Sequence, residues 1–410
     1  MNSTGSYGFN FSLVKKGSAE SYPLFIHYDG PSLAARANGG KSDFINCYVL
    51  LVDDWLPIQK KDGSFGDNSY MCCYHQNFNI YTDQNPIPTT GTVKTYLQKR
   101  YIESVHYAER HLPIDASRIY TTGTSHTGYG ALLTAAIYPE EISAVYDIVE
   151  PISIGSNGVS VYEEEWGTSA VKLNTDVLIP GTSDPLLFTK LSDMRRMTYY
   201  NRELDVPLIF DVHGKNDDKV GWTDGKIEWF DSLQSNHYGG VWYWDQREHG
   251  GGGKNFSNDE TTPDIYRYQN NKSYPAFSNC SINQDPGNGS KNDGDPYGAI
   301  NGYLDWDDSI IDNSCNYSVN IFIKDFYVGG VLDQDQYKTC TTDLTFRRLQ
   351  DFKPSSGTTI TWKNLDNSNN KIQSGSFTYK GGLMTLKGMI VNKSGNIIFT
   401  ENLPLPEHTR

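Results

Sequence analysis

The stretch Arg118–Gly130, RIYTTGTSHTGYG, decides the fold of the first part of the chain. Its opening residues have the β-branched and aromatic character of a buried strand, and the apolar run Tyr129–Tyr138 predicts a helix. Between the two lies a Gly-Thr-Ser turn. A strand–turn–helix of this kind lifts the Ser125 hydroxyl above the carboxyl end of a sheet, where the first amides of the helix point at it.

The triplet alone is weak evidence, because Gly-Thr-Ser recurs at 167–169 and 181–183. Neither of these copies lies between an apolar strand and an apolar helix. Ser125 is therefore the candidate nucleophile. The amide of His126, the next residue, is the candidate donor to a developing oxyanion.

Outward from this turn, apolar runs alternate with helical stretches, which predicts an α/β fold: a mostly parallel sheet with helices on both faces. The predicted strands are Tyr22–His27, Cys47–Val52, Arg118–Thr122, Ala144–Val149, Pro207–Val212 and Gly240–Trp244, and the predicted helices are Thr92–His111, Tyr129–Tyr138 and Lys226–Ser235. The polar, glycine-rich segment Asp53–Pro86 is expected to be a long loop.

The pattern changes near residue 262. Beyond it, Asn, Asp, Gly and Ser dominate 270–313, and short strand-like runs separated by turn residues continue to the end of the chain. Short strands at this spacing predict a smaller antiparallel, sandwich-like domain. We therefore expect a catalytic domain at 1–262 and a β-rich accessory domain at 263–410.

A serine nucleophile needs a base and a group that orients the base. Asp217 follows the strand Pro207–Val212, and its neighbour Asp218 is the alternative acid. His249 follows the strand Gly240–Trp244 and precedes four glycines, which predicts a flexible loop. The carboxyl ends of parallel strands share one edge of a sheet, so all three groups are expected to meet there.

These motifs, RIYTTGTSHTGYG, VHGKNDDKV and EHGGG, resemble those of α/β-hydrolase serine esterases of the feruloyl-esterase and polyester-depolymerase type, which are related to the catalytic domain of prolyl-oligopeptidase-like enzymes. The resemblance covers roughly residues 20 to 255. It implies a Ser125–His249–Asp217 triad. One departure is Thr127, which stands where the family usually has glycine.

The resemblance also implies a second oxyanion donor in the loop after an early strand. The matching residues are His27-Tyr28-Asp29-Gly30, and the amide of Tyr28 or Asp29 is the candidate. Among the aromatic residues near the predicted site, Tyr129 and Trp222 are expected to contact substrate, although core packing is the commoner role of such rings.

Composition excludes several classes of function. The 410 residues carry a net charge of −14, which argues against nucleic acids and anionic membranes as partners, and no apolar run could span a bilayer. The six cysteines lack metal-ligand spacing, so no metal site and no cofactor are expected. The polar N-terminus has no signal-peptide core. The Asn-, Tyr- and Ser-rich composition favours a secreted or periplasmic protein that begins after a removed leader.

Three functions stay open at this point. The first is an esterase acting on carbohydrate-linked acetyl or feruloyl esters or on a polyester. The second is a peptidase with the same triad, which is disfavoured because only about twenty residues precede the first strand. The third is a degenerate, polysaccharide-binding hydrolase fold. The acidic loop 285–312 is also a candidate for a structural Ca²⁺, although it lacks EF-hand spacing.

Overall fold

A computed structural model describes residues 8–28, 44–52, 54–154 and 162–403. In chain order the strands are β1 (Phe11–Lys16), β2 (Tyr22–Tyr28), β3 (Cys47–Val52), β4 (Leu56–Gln59), β5 (Phe65–Asp67), β6 (Tyr74–His75), β7 (Thr92–Lys94), β8 (Ile114–Thr124), β9 (Ala144–Ile148), β10 (Asn174–Leu178), β11 (Pro185–Leu187), β12 (Leu208–Gly214), β13 (Gly240–Asp245), β14 (Tyr274–Ser278), β15 (Gly298–Ile300), β16 (Leu304–Trp306), β17 (Ile311–Asp312), β18 (Asn316–Ile323), β19 (Phe326–Val328), β20 (Val331–Asp333), β21 (Thr339–Arg347), β22 (Thr359–Asp366), β23 (Lys371–Thr378), β24 (Met384–Asn392) and β25 (Asn396–Leu403). The helices are α1 (Tyr96–His111), α2 (His126–Ile137), α3 (Glu163–Trp166), α4 (Phe188–Leu191), α5 (Met194–Tyr200), α6 (Lys226–Ser235) and α7 (Asn258–Thr261).

The main sheet has eight strands in the order β1-β3-β2-β8-β9-β12-β13-β15. The six central strands are parallel, and the two edge strands, β1 and β15, run antiparallel to their neighbours. The carboxyl ends of β8, β12 and β13 therefore lie at one edge. This is the mostly parallel sheet that the sequence predicts.

Side chains alternate between two cores along each central strand. On one face, Ile26, Leu50 and Trp242 pack in a cluster with helical residues, among them Tyr101 of α1 and Leu132 of α2. We call this the helical face. It also receives residues of α5 and α6.

The opposite face of the sheet is covered by strands from the C-terminal part of the chain. There, Phe25 and Tyr120 share a cluster with Phe277, Leu344 and Phe346. We call this the β-covered face. The prediction of helices on both faces therefore needs one correction: the helices with core residues pack on the helical face, and an antiparallel β layer takes the place of a second helical layer.

The C-terminal part forms a three-stranded sheet, β14-β21-β24, and a larger one in the order β16-β18-β25-β22-β23, with β17 paired to β18. These sheets confirm the predicted antiparallel β-rich region. Strand β15 instead joins the edge of the main sheet. The boundary at residue 262 stays a prediction, since the main sheet takes a strand from beyond it.

Several predicted elements differ in detail. The expected loop 53–86 contains β4, β5 and β6 around a small core of Leu56, Ile58, Tyr74, Phe78 and Ile80. Its polar residues hid the short alternation of these strands. The predicted helix over 92–111 begins with strand β7, because Thr92–Lys94 pairs with β6 before α1 starts. Within the described ranges, no helix combines the length and apolarity that crossing a bilayer requires.

Two adjacent arginines, both buried, join the β layer to the helical part. Arg347 donates to the carbonyl oxygens of Leu204, Asn236 and His237, at 2.6 to 2.8 Å. Arg348 donates to two further carbonyls, those of Pro139 and Ile142. These carbonyls lie where the chain leaves α2, α5 and α6, so the pair satisfies backbone groups that helix ends leave unpaired.

Candidate active site

Ser125 lies at the sharp turn between β8 and α2. Its backbone has φ 58° and ψ −133°, a strained conformation for a residue with a side chain. Two bonds hold the turn: the Ser125 amide donates to the carbonyl of Ile148 at 2.9 Å, and the Tyr129 amide donates to the Ser125 carbonyl at 3.1 Å. The turn therefore stays tight and leaves the Ser125 side chain partly exposed.

Glycine and threonine make this turn possible. A β-carbon at Gly123 would lie 2.5 Å from backbone atoms of Thr127 and Gly128, so the close crossing of strand and helix requires glycine there. The Thr127 hydroxyl donates to the Thr124 carbonyl at 2.7 Å and accepts from the Thr124 amide at 2.8 Å. Thr127, the departure from the family pattern, therefore braces the turn with its side chain.

The structure brings the three predicted catalytic groups together. The hydroxyl oxygen of Ser125 is 2.9 Å from Nε2 of His249, and Nδ1 of His249 is 2.8 Å from Oδ2 of Asp217. The other carboxylate oxygen of Asp217 accepts the amides of Lys219 and Val220, both at 2.8 Å. With Nδ1 protonated, the imidazole can accept the hydroxyl proton while the carboxylate fixes its orientation.

The alternative acid, Asp218, points away from this arrangement. Its side chain is 69% exposed and contacts the ammonium of Lys219. The structure therefore places Asp217, and not Asp218, beside His249, and the role of Asp217 as the catalytic acid stays a prediction.

The loop that carries His249 is anchored, although the sequence predicted flexibility. Buried Arg247 forms a multiple hydrogen-bonded ion pair with Asp245 at the end of β13, with contacts of 2.8 to 3.0 Å. The Glu248 amide donates to the Gly252 carbonyl at 2.7 Å, which closes the loop on the far side of the imidazole. The base is therefore held by both flanks of its own loop.

Next to the nucleophile lies a group of partly buried aromatic rings. The ring of Tyr70 is 5.7 Å from that of His126 and 5.7 Å from that of Tyr162. Burial, together with the nearby charge of His249, lowers the pKa of His126, so its ring is neutral at pH 7. We call Tyr70, His126 and Tyr162 the aromatic group.

Tyr70 is held in position by a buried carboxylate. Asp54 accepts the amides of Ser69 and Met71 at 2.8 and 2.6 Å and the Ser69 hydroxyl at 2.7 Å. Tyr70 and Met71 both have φ 54°, a strained conformation that these bonds hold in place. Burial raises the pKa of Asp54 to about 6, although the hydrogen bonds from Ser69 and Met71 oppose that rise.

The cysteines give an unexpected pairing just after this segment. Cys72 and Cys73, neighbours in sequence, form a disulfide, whereas the other four, Cys47, Cys280, Cys315 and Cys340, all lie in the described part of the chain and are not bridged. Sequence spacing could not choose among the possible pairings.

Of the three residues whose amides are predicted to donate to the oxyanion, the structure describes His126 and Tyr28. His126 is the first residue of α2, where a helix leaves its amides without intrahelical partners. Tyr28 is the last residue of β2, and its ring packs 4.3 Å from that of Tyr101. Asp29 lies outside the described residues. The oxyanion roles of all three amides stay predictions.

The two predicted substrate contacts need correction. Tyr129 has no exposed surface, and Trp222 is 2% exposed. Tyr129 faces inward on α2, while Trp222 packs against Phe230 and Trp244 in the helical-face core. Both therefore serve packing, which is the role that most interleaved aromatics have.

The sheet order, the strained serine between strand and helix, and the chain order Ser125, Asp217, His249 at one sheet edge decide the fold. The chain has the α/β-hydrolase fold. The β layer on the opposite face is an addition to that fold.

No protein-family model matches the sequence, and no curated protein does. Similar solved structures are themselves hydrolases of this fold. An S-formylglutathione hydrolase from Agrobacterium tumefaciens is 13% identical, with a TM-score of 0.41 over 58% of this chain and 82% of that one. A carboxylesterase from Lactobacillus plantarum is 13% identical, with a TM-score of 0.37 over 60% and 82%.

Peptidases also occur among the similar structures. An acylaminoacyl peptidase from Pyrococcus horikoshii is 12% identical, with a TM-score of 0.39 over 60% of this chain and 36% of that one. The chain spans about a third of the length of such peptidases, as in the dipeptidyl peptidase 4 of Porphyromonas gingivalis, of which it covers 33%.

Sequence reasoning missed Asp54 and Tyr70. Asp54 follows the end of β3 just as Asp217 follows β12, so its place after a strand was a usable signal. Tyr70 gave no such signal, because its position depends on a turn inside the expected loop.

In the loop 285–312, three carboxylates, those of Asp285, Asp293 and Asp295, accept backbone amides. The Ca²⁺ site there stays a prediction.

Proposed function

We propose that the chain is a serine carboxylesterase that works through an acyl-enzyme. The observation that supports this best is the unbroken contact from the Ser125 hydroxyl through His249 to Asp217, at 2.9 and 2.8 Å, on a strained turn. An ordinary surface serine is not held in such a strained backbone conformation next to a partly buried imidazole that a carboxylate orients.

In this mechanism the Ser125 oxygen attacks the acyl carbon while Nε2 of His249 takes its proton. Asp217 holds the imidazole and stabilises the imidazolium. The His126 amide, with a second amide from the Tyr28–Asp29 turn, donates to the oxyanion, and each such donor is worth roughly 3 kcal/mol in comparable enzymes. His249 then protonates the leaving alcohol, and water releases the acid by the same steps in reverse roles.

The aromatic group favours a substrate with a ring near the scissile ester. Tyr70 and Tyr162 are partly exposed, and their ring centroids lie 5.7 Å apart. This distance is within the range of about 4.5–7 Å that aromatic pairs prefer, so the two rings offer a substrate ring a surface of the kind that aromatic groups pack against. We therefore propose a carbohydrate-linked feruloyl ester or an aromatic polyester ahead of acetyl esters, and a secreted or periplasmic enzyme that meets such polymers outside the cytoplasm.

The test is turnover of p-nitrophenyl acetate and butyrate, compared with feruloyl and benzoyl esters. Ser125→Ala is expected to lose at least about a thousandfold in kcat/KM. The matched control is Ser183→Ala, an exposed serine of another Gly-Thr-Ser triplet, which is expected to keep full activity. Wild-type turnover in Ser125→Ala would remove the proposal.

Two rivals give different results in the same assay. A peptidase would release product from a proline-peptide reporter without ester turnover. A degenerate binding protein would turn over neither substrate and would not be labelled at Ser125 by a fluorophosphonate probe.

A further inference from the structure

A second group of ionisable side chains lies beneath the active site, on the helical face of the sheet. Glu150 follows β9, and Asp211 and His213 lie on the neighbouring strand β12. All three are buried, with at most 1% of each exposed. One ligand atom from each, a carboxylate oxygen or an imidazole nitrogen, lies within 4.8 Å of the other two.

The distances suit a shared ion better than hydrogen bonds. Nε2 of His213 is 3.3 Å from Oε1 of Glu150 and 3.5 Å from Oδ2 of Asp211. Neither ring nitrogen of His213 and neither carboxylate oxygen of Glu150 makes a hydrogen bond with the described residues. A tetrahedral site with metal–ligand distances of about 2.1 Å has edges of roughly 3.4 Å, which matches both separations.

A further carboxyl group lies beside these three residues. Asp147 pairs in register with Asp211 on the adjacent strand, and both of its carboxylate oxygens are likewise buried without a hydrogen bond. Three buried carboxyl groups, those of Asp147, Glu150 and Asp211, therefore lie near the single ammonium of Lys226. A divalent ion between them would give these groups the partner that a buried carboxylate needs.

The surroundings have the features of a ligand shell. The indole Nε1 of Trp229 donates to Oδ2 of Asp211 at 3.0 Å and so orients that carboxylate. The Lys226 ammonium donates to the backbone carbonyl of Glu150, which leaves the Glu150 side chain to turn toward His213.

We propose that Glu150, Asp211 and His213 form a structural site for a divalent transition ion, for which Zn²⁺ is the best fit. One imidazole and two carboxylates are ligands that zinc accepts, with a water molecule in the fourth tetrahedral position, whereas Ca²⁺ would need six to eight oxygens. A β-carbon at Gly128 would lie 2.8 Å from Cβ of Glu150, so the ion would brace the back of the Ser125 turn. Because the site is buried, it would fill as the chain folds.

The experiment measures metal in the full chain, purified without chelator from zinc-supplemented culture and again after unfolding and refolding with ZnSO₄. Inductively coupled plasma mass spectrometry is expected to find about one zinc per chain, and refolding with zinc is expected to raise the Tm over refolding with EDTA. His213→Gln and Glu150→Gln are expected to lower the zinc content at least tenfold.

Two controls assign the site. His237→Gln replaces a half-buried histidine bonded to Ser278 and is expected to keep the zinc. His249→Ala is also expected to keep it, which separates this site from metal bound at the triad. Zinc lost from His249→Ala, zinc retained by His213→Gln, or wild type that stays metal-free after refolding with Zn²⁺, Mn²⁺ or Co²⁺ would overturn the proposal.

If the buried variants do not fold, the Co²⁺-loaded wild type decides. Strong visible absorption from a four-coordinate Co²⁺ ion in Ser125→Ala and wild type alike supports the site. Weak absorption, typical of six-coordinate Co²⁺ held by water, contradicts it.

Discussion

At the scale of single residues, Thr127 shows how the turn under the nucleophile tolerates a departure from the usual glycine. Its hydroxyl closes a ring of two hydrogen bonds with the backbone of Thr124. The small residue needed for close packing is instead Gly128, which faces Glu150 and Asp147 of the sheet. The Thr127 side chain therefore holds the turn together with the two glycines, Gly123 and Gly128, whose lack of a side chain allows the close packing.

We expect Thr127→Val to weaken this turn. Valine keeps the shape but leaves the Thr124 amide and carbonyl without their partner, which costs about 1–3 kcal/mol. The free energy of unfolding measured in urea and the kcat for ester hydrolysis should both fall. Thr127→Ser keeps the hydroxyl and should stay close to wild type in both. Equal stability of the valine and serine variants would show that the hydroxyl is dispensable.

Gly123→Ala is expected to be far more severe. The added methyl group would meet backbone atoms at 2.5 Å, and backbone cannot move aside as a flexible side chain can. We expect a loss of at least about 2 kcal/mol in unfolding free energy together with the loss of esterase activity. The control is Gly8→Ala, where no atom of the described residues lies within 4 Å of the new methyl group. An active, stable Gly123→Ala protein would contradict the close crossing.

At the scale of elements, the segment Ser69–Met71 depends on the carboxylate of Asp54. The folded pKa of this group is about 6, against about 3.9 in an unfolded chain. The folded state thus holds the proton more tightly, so the Asp54 contribution to stability is present below about pH 4 and is lost as the pH rises to about 6.

Asp54→Asn tests the direction of this change in stability with pH. Asparagine keeps an acceptor for the two amides and does not ionise. Relative to this variant, we expect the wild-type unfolding free energy to fall by about 2 kcal/mol between pH 4 and pH 7. The measurement is the unfolding free energy of both proteins, determined in urea at several pH values in that range. If the two free energies change with pH in parallel, the raised pKa of Asp54 is ruled out.

The thiols of Cys280, near β14, and Cys340, on β21, form another element-scale contact. The two cysteines lie on neighbouring segments, because the Ser281 amide donates to the Thr341 carbonyl at 2.9 Å, and the contact with Cys340 lowers the pKa of Cys280. We expect them to form a disulfide in an oxidising compartment, worth about 4 kcal/mol from closing a loop of about sixty residues. Mass spectrometry of a non-reduced digest checks this. Cys340→Ser should lose the added stability, and alkylation of both thiols in oxidised protein would exclude the bridge.

The elements also show what a sequence reveals and what it does not. The strand–turn–helix at Ser125 and the positions of Asp217 and His249 could be predicted because each follows an uninterrupted apolar run. The aromatic group could not, because Tyr70 is placed by hydrogen bonds to Asp54 from a turn without periodicity. The group of Glu150, Asp211 and His213 was missed for a related reason: strand pairing, not spacing along the chain, brings its members together.

At the scale of the whole molecule, the two halves are joined by buried polar contacts as well as by apolar packing. Arg347 reaches three carbonyls in the helical part at once, those of Leu204, Asn236 and His237. Its guanidinium also lies over the ring of Tyr238, 5.2 Å from the centroid.

We expect Arg347→Ala to lower the unfolding free energy by about 3 kcal/mol or more, since it leaves these buried carbonyls unpaired. Arg110→Ala, which removes an exposed arginine at the end of α1, is the control and should change stability by less than about 0.5 kcal/mol. Thermal and urea unfolding measure the stability of the two variants. A mild effect at Arg347 would mean that apolar packing alone joins the halves.

The β-covered face also bears on how the protein is made. Ser125, Asp217 and His249 have all been synthesised by residue 249, but the strands that cover the other face of their sheet come later in the chain. At about 5–20 residues per second, a ribosome needs roughly ten to thirty seconds to deliver them. Until those strands are in place, the apolar side chains of that face, Phe25 and Tyr120 among them, lack the layer that buries them.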